Sequence, residues 1–298
     1  MRGTADSAGP DFVCIGAQKA GTTWLYDNLV GQRDVWVPPE KEIHFFNTVC
    51  ANEELLGVEA RRPAAGLRRY EPLLRSPSVH TIRWLRRFHG EPRTTRWYYS
   101  LFPPELVGDR KAGDFTPAYA TLDERGVAYA RRVLRPGCRV FLIVRNPIER
   151  AWSGLKMLYR WRGEELPLER VDALLREMDE PTHRLRGDYA RTIRLWDDAF
   201  GDDFRVFRYE RLASAPVEFL REVGEFLDVE IDVDLERLGR RSNSDPERKP
   251  MPDALRRKLV DAFRPQVEEL DRYVPGVAEA WLRPAGDGGR APAAAGAG

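Results

Sequence analysis

Two carboxylates and an imidazole stand at alternate positions in Pro39-Glu40-Lys41-Glu42-Ile43-His44-Phe45-Phe46-Asn47. In an extended segment, residues 40, 42 and 44 face one side, so the three groups would line a cleft together. A hydroxyl is a poor nucleophile until a base takes its proton, and either a carboxylate or the imidazole can do that work. Solvated charges ahead of an aromatic anchor, Phe45-Phe46, are the plainer reading of the same string.

A second string, Gly16-Ala17-Gln18-Lys19-Ala20-Gly21-Thr22-Thr23, lies between an apolar run and a helical one. There, backbone N–H groups and the positive end of a helix converge on an anion. The glycines have the G-x-x-x-x-G spacing of a nucleoside-triphosphate loop, but Thr22 stands where that loop places its lysine, and the lysine has moved to position 19. The string reads as a phosphate cradle for something other than magnesium ATP, with a ligand-free glycine turn as the alternative. A third string, from Val144-Arg145-Asn146-Pro147 to Trp152-Ser153, puts an arginine at the carboxyl end of an apolar run, where open α/β sheets bind ligands.

These strings need a scaffold. Phe12-Val13-Cys14-Ile15 and Phe141-Leu142-Ile143-Val144 are short, continuous apolar runs, as buried parallel strands are. A further strand is expected over 204–209 and a brief one ahead of Pro39. Helices are expected from Thr22 to Val30, Ile148 to about Arg160, and at about 187–200, 216–227 and 253–271; Pro147 suits a first helical turn. The alternation predicts an α/β three-layer sandwich with a central parallel sheet. Residues 1–283 are expected to form one domain. The arginine-rich stretch 61–99, with Trp84, Trp97, Tyr98 and Tyr99, reads as an insertion on the acceptor side, its Trp97 and Arg96 suited to stacking on and pairing with a substrate. The Gly-, Ala- and Pro-rich residues 284–298 are expected to be disordered.

Composition sets limits. The 298 residues suffice for a full core, and a formal net charge of +1 implies no global attraction to nucleic acid or membrane, so any anion site is local. Cys14, Cys50 and Cys138 are too few and too scattered for a disulfide framework or a zinc site. No signal-peptide pattern or membrane-length apolar run is visible, which makes the cytoplasm the expected location.

The run from Gln18 to Leu25 resembles the 5′-phosphosulfate loop of sulfotransferases that use 3′-phosphoadenosine 5′-phosphosulfate (PAPS), and Arg145 to Ser153 is similar to that family's 3′-phosphate motif, R-[DN]-P-x-x-R-x-x-S. The resemblance implies a P-loop-like fold, PAPS as donor, PAP as product and no metal. It implies that Lys19 contacts the bridging oxygen and sulfate, that Ala20, Gly21, Thr22, Thr23 and Trp24 form the loop around the 5′-phosphate, and that Arg145 and Ser153 hold the 3′-phosphate. Arg150 is instead expected on the helix surface, paired with Glu149 or a neighbour. The 39–47 segment resembles that of heparan-sulfate-type sulfotransferases. By that match Glu42 is the base, Glu40 and His44 contact or orient the acceptor, and His44 is the reserve base. Gly113-Asp114-Phe115-Thr116-Pro117-Ala118-Tyr119 is similar to the family's G-E-K-[ST]-P-x-Y, but Phe115 replaces a lysine; Lys19, backbone donors or Lys249 would have to compensate. Asp114 is either a cleft residue on the acceptor side or a polar strand end.

The implied reaction moves a sulfuryl group to a hydroxyl or amine of a small-molecule or glycan acceptor, with no nucleic-acid partner and an oligomeric state the sequence leaves open. A nucleotide kinase shares the strand–loop–helix opening, but the Gly-Lys-Ser/Thr run it needs is missing. A non-catalytic nucleotide-binding protein would have no use for both Glu42 and Lys19.

Overall fold

The computed structural model describes residues 9–50, 79–238 and 249–283. Five strands form one sheet: β1 (Phe12–Gly16), β2 (Val35–Trp36), β3 (Lys111–Phe115), β4 (Arg139–Val144) and β5 (Phe204–Arg208). Their order is β2-β3-β1-β4-β5, and every pairing is parallel. In register, Phe12 pairs with both Gly113 and Arg139, and Val140 through Val144 pair with Phe204 through Arg208. The apolar runs of β1 and β4 are buried throughout because neighbours flank both edges and helices cover both faces.

Helices that bear on the site are α1 (Thr22–Leu29), α2 (Phe45–Val49), α3 (Val79–Gly90), α4 (Thr95–Ser100), α5 (Glu124–Val133), α6 (Pro147–Arg162), α7 (Val171–Asp179), α8 (Tyr189–Phe200), α9 (Pro216–Leu227) and α10 (Asp253–Leu270). Local chemistry sets their ends. Asn146 caps α6 by accepting from the Ile148 N–H at 3.0 Å, Pro147 fills its first position, and Gly163 closes it at φ 69. Asp123 and Asp188 cap α5 and α8 in the same way.

Because the sheet is parallel, the segments after β1, β2, β3 and β4 all leave from one edge. The chain steps to β2 and β3 on one side of β1 and then to β4 on the other, so the crevice lies at the carboxyl end of β1, where the strand order reverses. The phosphate-loop string, the Glu42 segment, Thr116 and Arg145 therefore share that edge.

The stretch 79–99 departs from expectation. It is scaffold: Trp84, Trp97 and Tyr98 are buried in the core. The Trp84 and Trp97 indoles donate to the Leu101 and Arg87 carbonyls at 2.7 and 3.0 Å, and Tyr98 stacks on Phe45 with centroids 4.6 Å apart. Trp97 thus has no surface to offer an acceptor. Residues 61–78 of the expected insertion, and the tail 284–298, lie outside the described residues.

Candidate active site

The loop after β1 carries Lys19 at φ 70 and Gly21 at φ 85. The left-handed backbone at Gly21 is one that glycine adopts without strain, and a Cβ there would also come within 2.8 Å of the end of the Leu212 side chain. No side chain caps the start of α1, whose first N–H groups thus keep their capacity to bind an anion. Burial first, and then the charges of Arg145, Arg160, Lys156 and Lys41, pull the Lys19 ammonium down to about 8. An amine so placed gains from an anion more than an exposed lysine does.

Lys41 is the residue at the loop that alternation concealed. Its side chain is only 6% exposed, and its ammonium donates to the hydroxyls of Thr22 and Thr23 at 3.2 and 2.9 Å. Glu42 Oε1 lies 3.8 Å from the same nitrogen, and His44 Nε2 lies 3.5 Å from Glu42 Oε2. The segment is not extended: Glu42 and His44 have φ 65 and 55, a left-handed backbone rare outside glycine and concentrated at functional sites. The expected single face of residues 40, 42 and 44 is therefore broken. Glu42 and His44 still meet, Lys41 joins them, and Glu40 is buried.

A buried clamp from β3 holds this backbone. Asp114 is fully buried, its Oδ1 accepting from Thr116 at 2.7 Å and its Oδ2 from Tyr98 and Tyr119 at 2.9 and 3.1 Å. The Thr116 and Tyr119 oxygens then accept from the Ile43 and Phe45 N–H groups at 3.0 and 3.1 Å, and the Phe115 carbonyl accepts from the Glu42 N–H at 2.8 Å. Asp114 is thus neither a cleft residue nor a bare strand end; it positions the Glu42 segment from beneath. Phe115 packs edge-on against Phe12, Tyr26 and Phe141, and so belongs to the core.

Burial pushes Asp114 from 3.8 up to about 6 against the pull of its three hydroxyl partners. A folded pKa above the unfolded one gives a stability contribution that is complete below about pH 4 and lost as pH rises through about 6, about 3 kcal/mol in all. Asp114→Asn is expected to remove that downward slope from the pH profile of unfolding free energy measured with denaturant. Equal slopes in both proteins would show that Asp114 is not the group responsible.

At the end of β4, Arg145 donates to the Lys19 carbonyl at 2.7 Å and lies over the Tyr209 ring, 4.4 Å from its centroid. It braces the left-handed residue of the loop as well as facing the crevice edge. Ser153 is half-buried on the second turn of α6, beside Trp152, whose indole donates to the Lys249 carbonyl at 3.2 Å. Trp24 is half-buried against Phe219, its indole donating to the Leu238 carbonyl at 3.4 Å. Ala20 and Thr22 are buried and Thr23 half-buried. Arg150 corrects the surface expectation: it is 1% exposed and donates to the His183 carbonyl at 3.2 Å, while Glu149 pairs with Arg256 at 2.6 Å. Among the described residues, no group of three or more His, Cys, Asp or Glu side chains is placed to hold a metal ion, and no helix is long and apolar enough to cross a membrane.

A cationic loop at the switch point of a parallel sheet, a basic residue after β4 and a carboxylate 3.8 Å from Lys41 thus share one edge of the fold. The sequence matches the Sulfotransferase family over residues 10–233, and the chain belongs to that family. It is similar in structure to a sulfotransferase from Alicyclobacillus acidocaldarius, with 26% identity, a TM-score of 0.60, and 93% of this chain and 100% of that one covered. It shares its fold with the sulfotransferase domain of the Synechococcus PCC 7002 olefin synthase, with 20% identity, a TM-score of 0.54, and 95% and 98% covered. No curated protein sequence matches at a significant level.

Proposed function

We propose that the chain transfers a sulfuryl group from PAPS to a hydroxyl or amine of a glycan-like or small-molecule acceptor, with Glu42 as the base. The observation that carries this reading is Lys41, held against Thr22 and Thr23 at the uncapped start of α1, 3.8 Å from Glu42 and close enough for its charge to act on Lys19. As the acceptor oxygen bonds to sulfur, the bond from sulfur to the 5′-phosphate oxygen breaks; the acceptor's proton passes to Glu42. The charge that develops on the departing phosphate falls to Lys19, Lys41 and the α1 N–H groups, fixed donors of the kind that stabilise transition states most. In a nucleotide kinase, the loop hydroxyl binds a magnesium ion. Here Lys41 is hydrogen-bonded to the hydroxyls of Thr22 and Thr23, which favours a transferase that uses a lysine at that place. The same lysine supplies the cation that Phe115 does not.

The test is incubation with PAPS labelled in its sulfuryl group and a panel of hydroxyl and amine acceptors. Label moving to an acceptor, with PAP released, is expected; PAP binding without transfer to any acceptor would overturn the reading. Two further results should accompany it. At pH 8, PAP binding should take up about half a proton, because Lys19 is half neutral there until an anion arrives. Calorimetry in buffers of different ionisation enthalpy measures this uptake, and Lys19→Met should abolish it. Arg145→Ala should weaken PAP by about 2 kcal/mol, roughly thirtyfold. The loss for 5′-AMP should be smaller yet measurable, since the brace on the Lys19 carbonyl goes too. Equal losses for the two nucleotides would remove Arg145 from the 3′-phosphate site.

A further inference from the structure

One side chain joins the two phosphate-binding strings. Arg145 donates through Nη1 to the Lys19 carbonyl at 2.7 Å, and its guanidinium lies over the Tyr209 ring, 4.4 Å from the centroid. Tyr209 also flanks the loop, since a Cβ at Gly21 would come within 3.4 Å of that ring. The loop is tied to the end of β4 a second time by the Ala17 N–H, which donates to the Ile143 carbonyl at 2.9 Å. Any group that engages Arg145 therefore acts on the backbone of Lys19 through a single hydrogen bond.

Lys19 needs that hold. Its φ of 70 lies in the left-handed region, which a residue with a Cβ does not favour on its own. A change in that backbone would swing the ammonium, at the end of its four-carbon stem, away from where it stands. Its charge is under pressure as well. After burial, Arg145 is the group that most lowers the Lys19 ammonium, ahead of Arg160 and Lys156 from α6 and Lys41 from the segment after β2. A guanidinium carries five N–H donors and no acceptor; among the described residues the Arg145 side chain forms no ion pair, and its one hydrogen bond is that to Lys19. The remaining donors can take a phosphate dianion while the first keeps the carbonyl. An anion there would stiffen the brace and offset the charge that acts most on Lys19, and both changes favour a fixed, charged ammonium.

We infer that Arg145 couples the two ends of the donor: a 3′-phosphate on its guanidinium sets Lys19 in place for the sulfuryl end, so the 3′-phosphate is read in the rate of transfer as well as in affinity. Arg145 is in this respect a positioning residue that acts through Lys19. Binding energy from a group remote from the reacting atoms is then used at the reacting atoms, and a donor lacking that group loses turnover and not only affinity. The inference rests on the transfer reading above for the identity of the donor.

Two measurements test it. The first compares turnover, extrapolated to saturating donor, for PAPS and for adenosine 5′-phosphosulfate, which lacks only the 3′-phosphate. Turnover with the truncated donor should be about thirtyfold lower, within the range over which coupled sites act on each other. Arg145→Lys keeps a charge for the phosphate but cannot hold carbonyl and phosphate with one rigid fork; it should bring the two turnover values close together while PAP affinity falls only a few-fold. The second measurement needs no transfer. Adenosine 3′-monophosphate, which puts no anion at the 5′ end, should draw protons onto Lys19 at pH 8, read by calorimetry in buffers of different ionisation enthalpy. Lys19→Met should abolish that uptake, and Arg145→Gln, which keeps a donor for the carbonyl without the charge, should remove most of it. Equal turnover for the two donors, with their difference wholly in KM, or no Lys19-dependent uptake on adenosine 3′-monophosphate, overturns the inference and leaves the transfer reading intact. If label moves from neither donor to any acceptor, the transfer reading falls, and the second measurement alone then decides: uptake that depends on both Lys19 and Arg145 upholds the coupling, and its absence overturns it.

Discussion

Glu42→Gln is expected to lower turnover at saturating PAPS by about 10²–10⁴, with affinity for PAP held within a few-fold, because glutamine keeps the size and hydrogen bonds of glutamate but cannot accept the acceptor's proton. The geometry favours a clean result. The Glu42 backbone is held by its N–H bond to the Phe115 carbonyl and by the flanking bonds at Ile43 and Phe45, none of which uses the carboxylate. His44 lies 3.5 Å from that carboxylate, so the two groups form a unit and their losses should not add. His44→Ala should cost about tenfold if the imidazole only orients Glu42 or the acceptor, and the double variant should be little worse than Glu42→Gln alone. A near-normal Glu42→Gln enzyme together with a crippled His44→Ala enzyme would move the base to the imidazole. A loss of PAP affinity in Glu42→Gln would instead assign the carboxylate to the donor pocket.

What the sequence discloses of this site follows from what burial does to residue choice. β1 and β4 announce themselves because parallel strands covered on both faces can be apolar at every position, and Arg145 is legible because it directly follows one of them. β3 does not. Lys-Ala-Gly-Asp-Phe has no apolar run, and its carboxylate is tolerable inside only because three hydroxyls, one of them from the distant Tyr98, converge on it. That partnership is tertiary, so spacing along the chain does not contain it. The stretch 79–99 misleads for a related reason. Its arginines draw the eye, yet Arg83 and Arg86 face outward on α3 while Trp84 is buried between them. A helical reading of that one apolar position would have turned an insertion into scaffold. Arg150 and Glu149 are adjacent, so a helix sends them to different faces, one into the interior and one to Arg256.

Lys41 was hidden by the assumption of an extended backbone. Alternation turns position 41 away from 40, 42 and 44, and nothing in the residue types of Glu42 or His44 signals a left-handed φ, which glycine usually marks. The structure places a buried ammonium against the hydroxyls of Thr22 and Thr23 and beside Glu42, and in the proposed reaction it acts on both the donor and the base. It adds positive charge at the start of α1, and it lies 3.8 Å from the Glu42 carboxylate.

Lys41→Met keeps the length and apolar stem of the side chain while deleting the charge, and is expected to lower turnover by about 10²–10³, the usual loss when one preorganised donor is taken from a developing oxyanion. Affinity for PAP should fall less, since Lys19, Arg145 and the α1 N–H groups remain. Lys41→Arg is the informative companion: the charge stays, but a planar fork does not fit two hydroxyls spaced for a compact ammonium, so partial recovery is expected. A merely structural lysine would act otherwise. It would lower the melting temperature of Lys41→Met without separating turnover from PAP affinity, and Lys41→Arg would be no better in turnover than Lys41→Met. Turnover within a few-fold of the unaltered chain in Lys41→Met would leave Lys19 as the sole side-chain cation for the leaving phosphate.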